Sequence, residues 1–104
     1  MATSYITAPG PRSIMHTVPA NGSTTLNMPN NNQFFAVSCG VDSASKGYLW
    51  AISINSTGSV NVAKITGGDS LTYSTGVNSL TFSNSGSYAA SILFLSFYGN
   101  LPTV

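Results

Sequence analysis

The stretch Ser-Tyr-Ala-Ala-Ser-Ile-Leu-Phe-Leu-Ser-Phe-Tyr, residues 87–98, is apolar on both sides when it is laid out as a β-strand. Successive side chains of a strand point to opposite faces, so the stretch divides into two sets. One set is Tyr88, Ala90, Ile92, Phe94 and Tyr98, and the other is Ala89, Leu93, Leu95 and Phe97. Because both faces are apolar, we expect both to be covered.

The second set predicts an interface between copies of the chain. In a two-layer sandwich of this length the outer face of a sheet normally meets water, and an exposed apolar strip promotes aggregation. We therefore predict that Leu93, Leu95 and Phe97 pack against another copy. The alternative is that a loop or the N-terminal residues cover this face within one chain.

The remaining sequence consists of short alternating segments separated by Asn, Gly and Pro residues. In Gly47–Asn55, for example, Tyr48, Trp50, Ile52 and Ile54 share one face, which predicts that they belong to the core. Strands are predicted over residues 12–18, 24–28, 33–41, 47–55, 59–65, 70–75, 79–83 and 87–98. This pattern predicts an all-β fold, an antiparallel jelly-roll-like sandwich or small barrel of about eight strands.

Residues 1–11 are predicted to form an extended N-terminal arm, because Pro9, Gly10 and Pro11 exclude a helix or a central strand. Residues 12–104 are then expected to form a single β-sandwich domain. The chain shows neither the pattern of a signal peptide nor an apolar run long enough to predict insertion into a membrane.

Charge is scarce, with three basic and two acidic side chains among 104 residues. Soluble domains usually carry charge on roughly one residue in four. A surface with so little charge argues against nucleic acid and anionic membranes as partners, because both are bound by clustered Lys and Arg. It favours neutral polar partners such as saccharides, or further copies of the chain.

Residue types that carry catalysis are equally scarce, since there are two Asp, one His, one Cys and no Glu. His16 alternates with Ile14 and Val18 on one strand face, which predicts a structural role. Cys39 follows an apolar run and is predicted to be a small buried side chain. We therefore expect no enzyme activity, no metal site and no cofactor.

Saccharide binding commonly combines an exposed aromatic ring with carboxylates or amides. Asp42 and Asp69 lie in predicted polar turns, and Tyr73 is close to Asp69 and followed by polar residues. These three residues are the predicted ligand-binding residues.

The layout of the strands resembles the C-terminal head domains of tail-fibre and receptor-binding proteins from phages and prophages of Gram-positive hosts. The resemblance spans about residues 12–98 and rests on the order of three features rather than on a signature motif. The features are the strand Gln33–Val41 with the aromatic segment Tyr48-Leu49-Trp50 after it, Ser59–Ile65 leading to Gly67-Gly68 and Ser79–Asn84, and the apolar strand Ile92–Phe97.

This resemblance implies a homotrimer located on the virion, in a tail or surface appendage, that binds cell-surface polysaccharide. Because no enzyme activity is expected from the residue types, the predicted binding is without cleavage. Two alternatives stay open at this point. One is a cytosolic-type lectin like those of fungi, which would be a monomer or dimer that binds simple sugars. The other is a viral structural or capsid decoration domain that has no ligand.

Overall fold

Alternating apolar residues and Asn- or Gly-containing turns form eight antiparallel strands in the part of the chain that the structure describes. The computed structural model describes residues 12–38, 47–68, 70–97 and 100–104. The strands are β1 (Arg12–Val18), β2 (Gly22–Asn27), β3 (Asn32–Ser38), β4 (Tyr48–Ile54), β5 (Val60–Thr66), β6 (Leu71–Gly76), β7 (Ser79–Asn84) and β8 (Ala90–Ser96). The described residues contain no helix, so the all-β prediction is confirmed. Among them there is accordingly no helix with the length and hydrophobicity that a membrane crossing requires.

The strands form a sandwich of two sheets. One sheet has the order β1-β8-β3-β4-β5, and the other has the order β2-β7-β6. The pairing of β1 with β8 and of β2 with β7 is nested as in a jelly roll. In contrast, β3, β4 and β5 follow one another as neighbours in the same sheet. Of the two predicted architectures, the sandwich is therefore the one that forms.

The core lies between the sheets and is centred on Trp50 of β4. The indole ring stacks on Tyr48 at a centroid distance of 5.3 Å and meets Phe82 of β7, in the opposite sheet, at 4.9 Å. Phe94 of β8 lies 6.2 Å from Phe82 and 6.3 Å from Phe34. All five rings are buried, and the burial of Tyr48 and Trp50 confirms the core positions predicted from the alternation in β4.

The hydroxyl group of Tyr48 joins β4 to the beginning of β6. It accepts hydrogen bonds from the backbone N–H groups of Ser70, at 2.9 Å, and Leu71, at 3.4 Å. Gly67 lies close to the same ring with a φ of +144°, a conformation that favours glycine. Tyr48 thus combines a buried ring with a satisfied polar atom, as burial of a tyrosine requires.

The C-terminal residues 100–104 lie against both sheets. Asn27 and Thr103 exchange two backbone hydrogen bonds of 2.7 and 3.1 Å. His16 Nε2 donates to the carbonyl oxygen of Pro102 at 2.8 Å, and its ring meets Phe94 edge-on at 5.8 Å. These contacts give His16 the structural role that its position in β1 predicts.

The start of the final strand differs from the prediction. Strand β8 begins at Ala90, and Tyr88, predicted on the inner face, is 59% exposed. The reason is the side chain of Asn84, which donates to the carbonyl groups of Tyr88 (2.8 Å) and Val18 (3.4 Å) and accepts from the N–H of Gly86 (2.8 Å). This loop keeps Tyr88 outside the ladder, and only the residues from Ala90 onward alternate as predicted.

Several predictions concern residues outside the described part of the chain. They are the N-terminal arm at residues 1–11, the burial of Cys39, the inward position of Tyr98 and the turns that hold Asp42 and Asp69. The assignment of residues 12–104 to a single domain also stays a prediction.

Candidate binding face

The outer face of the five-stranded sheet is the candidate functional surface. A sheet with one side in water normally carries polar side chains there. Here Leu93, Phe35 and Phe97 point outward and remain 39%, 40% and 41% exposed. Apolar side chains therefore occur on both faces of β3, the central strand of this sheet, and of its neighbour β8.

Strand register arranges the outward side chains in rows across the sheet, and next to a polar row of Thr17 and Ser91 three further rows follow. The first row is Met15, Leu93, Val37 and Leu49. The second row is Ser13, Leu95, Phe35, Ala51 and Ala63. The third row is Phe97, Gln33, Ser53 and Asn61. Apolar side chains therefore dominate the middle of the face, between the polar pair Thr17 and Ser91 and the region where aromatic and amide groups meet.

We name the first of these regions the apolar patch, formed by Met15, Val37, Leu49, Leu93 and Leu95. Leu49 and Leu95 are half-buried and the other three side chains are exposed. Two of the predicted interface residues, Leu93 and Leu95, lie in this patch, and the third, Phe97, lies in the neighbouring region. Their contact with another copy of the chain stays a prediction.

The second region is the aromatic depression. Phe35 and Phe97 meet edge to face in it, with ring centroids 5.4 Å apart and planes at 82°. Beside them β4 and β5 carry only the methyl groups of Ala51 and Ala63, so the surface is lower there than at the rings. The resulting open depression has a volume of about 380 Å³.

A polar groove continues from the aromatic depression. Gln33, Ser53 and Asn61 line both the depression and this groove, which has a volume of about 370 Å³ and extends to Asn31 and Asn55. None of the described residues bordering either region carries a formal charge. Aromatic rings, amides and a hydroxyl group therefore lie within one continuous concave surface.

A buried polar network lies behind the third row and fixes its backbone. Asn32 Oδ1 accepts from the backbone N–H of Gln33 at 2.9 Å and lies 3.2 Å from the Ser96 hydroxyl group. The carbonyl oxygen of Asn100 accepts from Asn32 Nδ2 at 3.2 Å and lies 2.9 Å from the same hydroxyl group. Phe97 N–H donates to Gln33 O at 3.2 Å. This network connects the ends of β3 and β8 at the point where Gln33 and Phe97 face outward.

The outer face of the three-stranded sheet has a different chemistry, which we call the hydroxyl face. Its outward side chains are Ser23, Thr25 and Asn27 on β2, Ser79, Thr81 and Ser83 on β7, and Thr72 and Ser74 on β6. Thr25 and Thr81 are hydrogen-bonded through their hydroxyl groups at 2.8 Å. This face is polar throughout, as expected for a sheet in water.

Of the three residues predicted to bind a ligand, only Tyr73 belongs to the described part of the chain. It is 42% exposed on the edge strand β6, and its hydroxyl group donates to the carbonyl oxygen of Val62 on β5 at 3.2 Å. Tyr73 thus bridges the edges of the two sheets and does not line the aromatic depression. Its role in ligand binding stays a prediction, as do those of Asp42 and Asp69.

The sequence pattern did not predict Phe35, Gln33 and Asn61 as members of a concave surface. One signal was present, because Phe34 and Ala36 alternate with Phe35 and Val37, so β3 is apolar on both faces like the final strand. No local signal places Asn61 beside Phe35, since the two positions are brought together by the pairing of three strands.

Comparisons with known proteins identify a shared fold rather than a family. The sequence matches no protein-family model and no curated protein sequence. The structure is similar to that of a tailspike protein from the Acinetobacter baumannii bacteriophage Fri1, a capsular polysaccharide depolymerase, with a TM-score of 0.65 and 9% sequence identity. The match covers 89% of this chain but only 19% of the tailspike. The chain therefore has a fold that also occurs as a small part of a phage tailspike.

Proposed function

We propose that this chain is an attachment domain of a phage tail appendage, which binds a neutral polysaccharide on the surface of a host cell. The observation that carries the proposal is the neutral concave surface formed by the aromatic depression and its polar groove. Sugars present apolar C–H faces and a rim of hydroxyl groups, and they match a surface that pairs aromatic rings with amides. The fold shared with part of a phage tailspike gives further support.

The proposed activity is binding without cleavage. Hydrolysis of a glycosidic bond generally needs two carboxyl groups on either side of that bond. The sequence has two carboxylate side chains, Asp42 and Asp69, which both lie outside the described residues, and its one His, His16, has Nε2 bonded to Pro102 O. Within the described residues no cluster of His, Cys or acidic side chains could hold a metal ion. The depolymerase activity of the tailspike is a property of that much longer protein.

The proposed domain is a homotrimer that forms through the apolar patch. Burial of apolar surface contributes about 25 cal/mol per Å², and an apolar strip left in water favours association. The side chains of the patch come from β1, β3, β4 and β8 and form one continuous surface. Association of three copies would cover the patches and leave the hydroxyl faces in water.

The experiment is to apply the purified chain to an array of immobilised bacterial capsular and cell-wall polysaccharides, neutral and charged. We expect saturable binding to one or a few neutral polysaccharides and no change in their chain length after incubation. Shortened chains would contradict binding without cleavage. A folded trimer that binds none of the polysaccharides would overturn the attachment proposal in favour of a ligand-free structural domain. A monomer that binds simple sugars would favour the lectin alternative.

A further inference from the structure

Within the proposed function, on which this inference rests, we infer that the aromatic depression and the polar groove form a single oligosaccharide-binding site. Phe35 and Phe97 supply the apolar platform for one sugar ring. Gln33, Ser53 and Asn61 bond its hydroxyl groups and lead the next sugar units into the groove. The ligand class is a neutral oligosaccharide with at least one sugar face free of axial hydroxyl groups.

The polar side chains of this site are not used by the fold. Gln33, Ser53 and Asn61 make no side-chain hydrogen bond to any other described residue, although each is at least partly accessible. This distinguishes Asn61 from five asparagines whose side chains hold turns and strand ends in place. Asn30, Asn32, Asn55, Asn78 and Asn84 all bond backbone or side-chain groups elsewhere in the chain. The amides around the depression are therefore available to a ligand.

The platform is held in place before any ligand arrives. The two phenyl rings contact each other at 5.4 Å, and the backbone beneath Phe97 is bonded to Gln33. The buried network of Asn32, Ser96 and Asn100 fixes both strand ends from the inner side. A site that is already ordered loses less conformational entropy on binding, which raises affinity.

The same chemistry argues that a sugar, and not another copy of the chain, occupies this end of the face. A dry protein interface would remove water from Gln33, Ser53 and Asn61, and each group without a new partner would cost free energy. Sugar hydroxyl groups both donate and accept, so they can satisfy the amides. The five side chains of the apolar patch carry no polar atoms that would need new partners, apart from the weakly polar sulfur of Met15, so contact between copies is assigned to the patch.

Concavity and composition together select this site over other depressions of the surface. A depression of about 510 Å³ beside the hydroxyl face is lined by residues such as Ser23, Thr72 and Ser83, and another of about 340 Å³ lies near Val60 and Val77. Neither has an aromatic ring among the described residues that line it. Only the depression at Phe35, among these, combines a ring surface with unused amides.

The test uses the polysaccharide that the wild-type chain binds on the array and oligosaccharides prepared from it by partial hydrolysis. Two site variants are compared with two matched controls, Phe97→Ala with Tyr88→Ala and Asn61→Ala with Asn27→Ala. Tyr88 is an exposed aromatic residue away from the site, and Asn27 is an exposed asparagine of the hydroxyl face. Circular dichroism establishes that each variant is folded. Asn61→Ala serves if Phe97→Ala does not fold, since Asn61 is exposed.

We expect each site variant to lose about tenfold in affinity, and each control to stay within about twofold of the wild type. Affinity should rise over the first few sugar units and then level off when the groove is filled. If the wild type binds but the site variants bind equally well, the site is wrong and the proposed function stands. If the wild type binds none of the polysaccharides, the proposed function and this site are both overturned.

Discussion

Phe35 of β3 and Phe97, directly after β8, meet edge to face on the outside of the five-stranded sheet, with their ring planes at 82°. The two positions are 62 residues apart in sequence and become neighbours because β3 pairs with β8. Both rings are about 40% exposed, and they are in contact with each other on the outer face. Their contact should therefore be measurable as an interaction energy between the two side chains.

A double-mutant cycle of Phe35→Ala and Phe97→Ala measures this contact in urea unfolding at one protein concentration. Edge-to-face aromatic pairs contribute about 0.5–1.5 kcal/mol beyond the area that they bury, and we expect a coupling energy in that range. The matched cycle combines Phe35→Ala with Tyr88→Ala. Those effects should add to within about 0.5 kcal/mol, because the rings are not in contact. Additive effects in the Phe35 and Phe97 cycle would contradict the ring contact.

Substitution of Leu93 by Asp tests the apolar patch as the interface of the proposed trimer. A carboxylate in a dry interface costs several kcal/mol without a partner, while on an open sheet face it remains hydrated. We expect Leu93→Asp to be a folded monomer by light scattering, whereas the matched Thr72→Asp on the hydroxyl face keeps the wild-type mass. A trimeric Leu93→Asp would exclude this patch from the interface. A monomeric wild type would contradict self-association itself.

Removal of the Tyr48 hydroxyl group tests the link between β4 and β6. In Tyr48→Phe the ring stays, but the N–H groups of Ser70 and Leu71 lose their acceptor at partly or fully buried positions. An unsatisfied buried donor costs about 1–3 kcal/mol, and we expect a loss of that size in the free energy of unfolding. Tyr73→Phe is the control, because its single bond to Val62 is exposed and should cost less than about 1 kcal/mol. Equal losses in the two variants would contradict this account.

The local pattern of the sequence predicted which side chains are buried better than it predicted which strands pair. Alternation in β4 correctly predicted that Tyr48 and Trp50 are core residues, because strand periodicity depends only on near neighbours. It could not predict that β4 and β5 join the sheet of β1, whereas β6 and β7 pair with β2. That choice depends on how the inner faces pack, for example Trp50 against Phe82.

The candidate site was predicted less well for the same reason. Leu93, Leu95 and Phe97 were predicted to face outward together, and they do so because they alternate along a single strand. The aromatic depression needs side chains from β3, β4 and β5 as well, and its polar members have the appearance of ordinary solvent-facing residues in sequence. Tyr88 shows the opposite error, since the side chain of Asn84 ended the alternation that would have placed it inside.

Gly67→Ala tests whether the close approach of Gly67, in the loop between β5 and β6, to the ring of Tyr48 is required for stability. Gly67 has a φ of +144°, which side-chain-bearing residues rarely adopt, and an added methyl group would overlap the Tyr48 ring. Because this ring is buried between Trp50 and the loop, it cannot move aside without disturbing the core. Backbone strain alone costs about 1–3 kcal/mol, which corresponds to a decrease in the melting temperature of at least about 4 °C in a domain of this size.

Gly47→Ala is the matched control, because its added methyl group meets the Ser38 carbonyl oxygen at an ordinary 3.6 Å and should change stability by less than about 0.5 kcal/mol. Calorimetry of the two variants measures the difference, and a Gly67→Ala protein that melts with the wild type would show that the loop can move away from the ring.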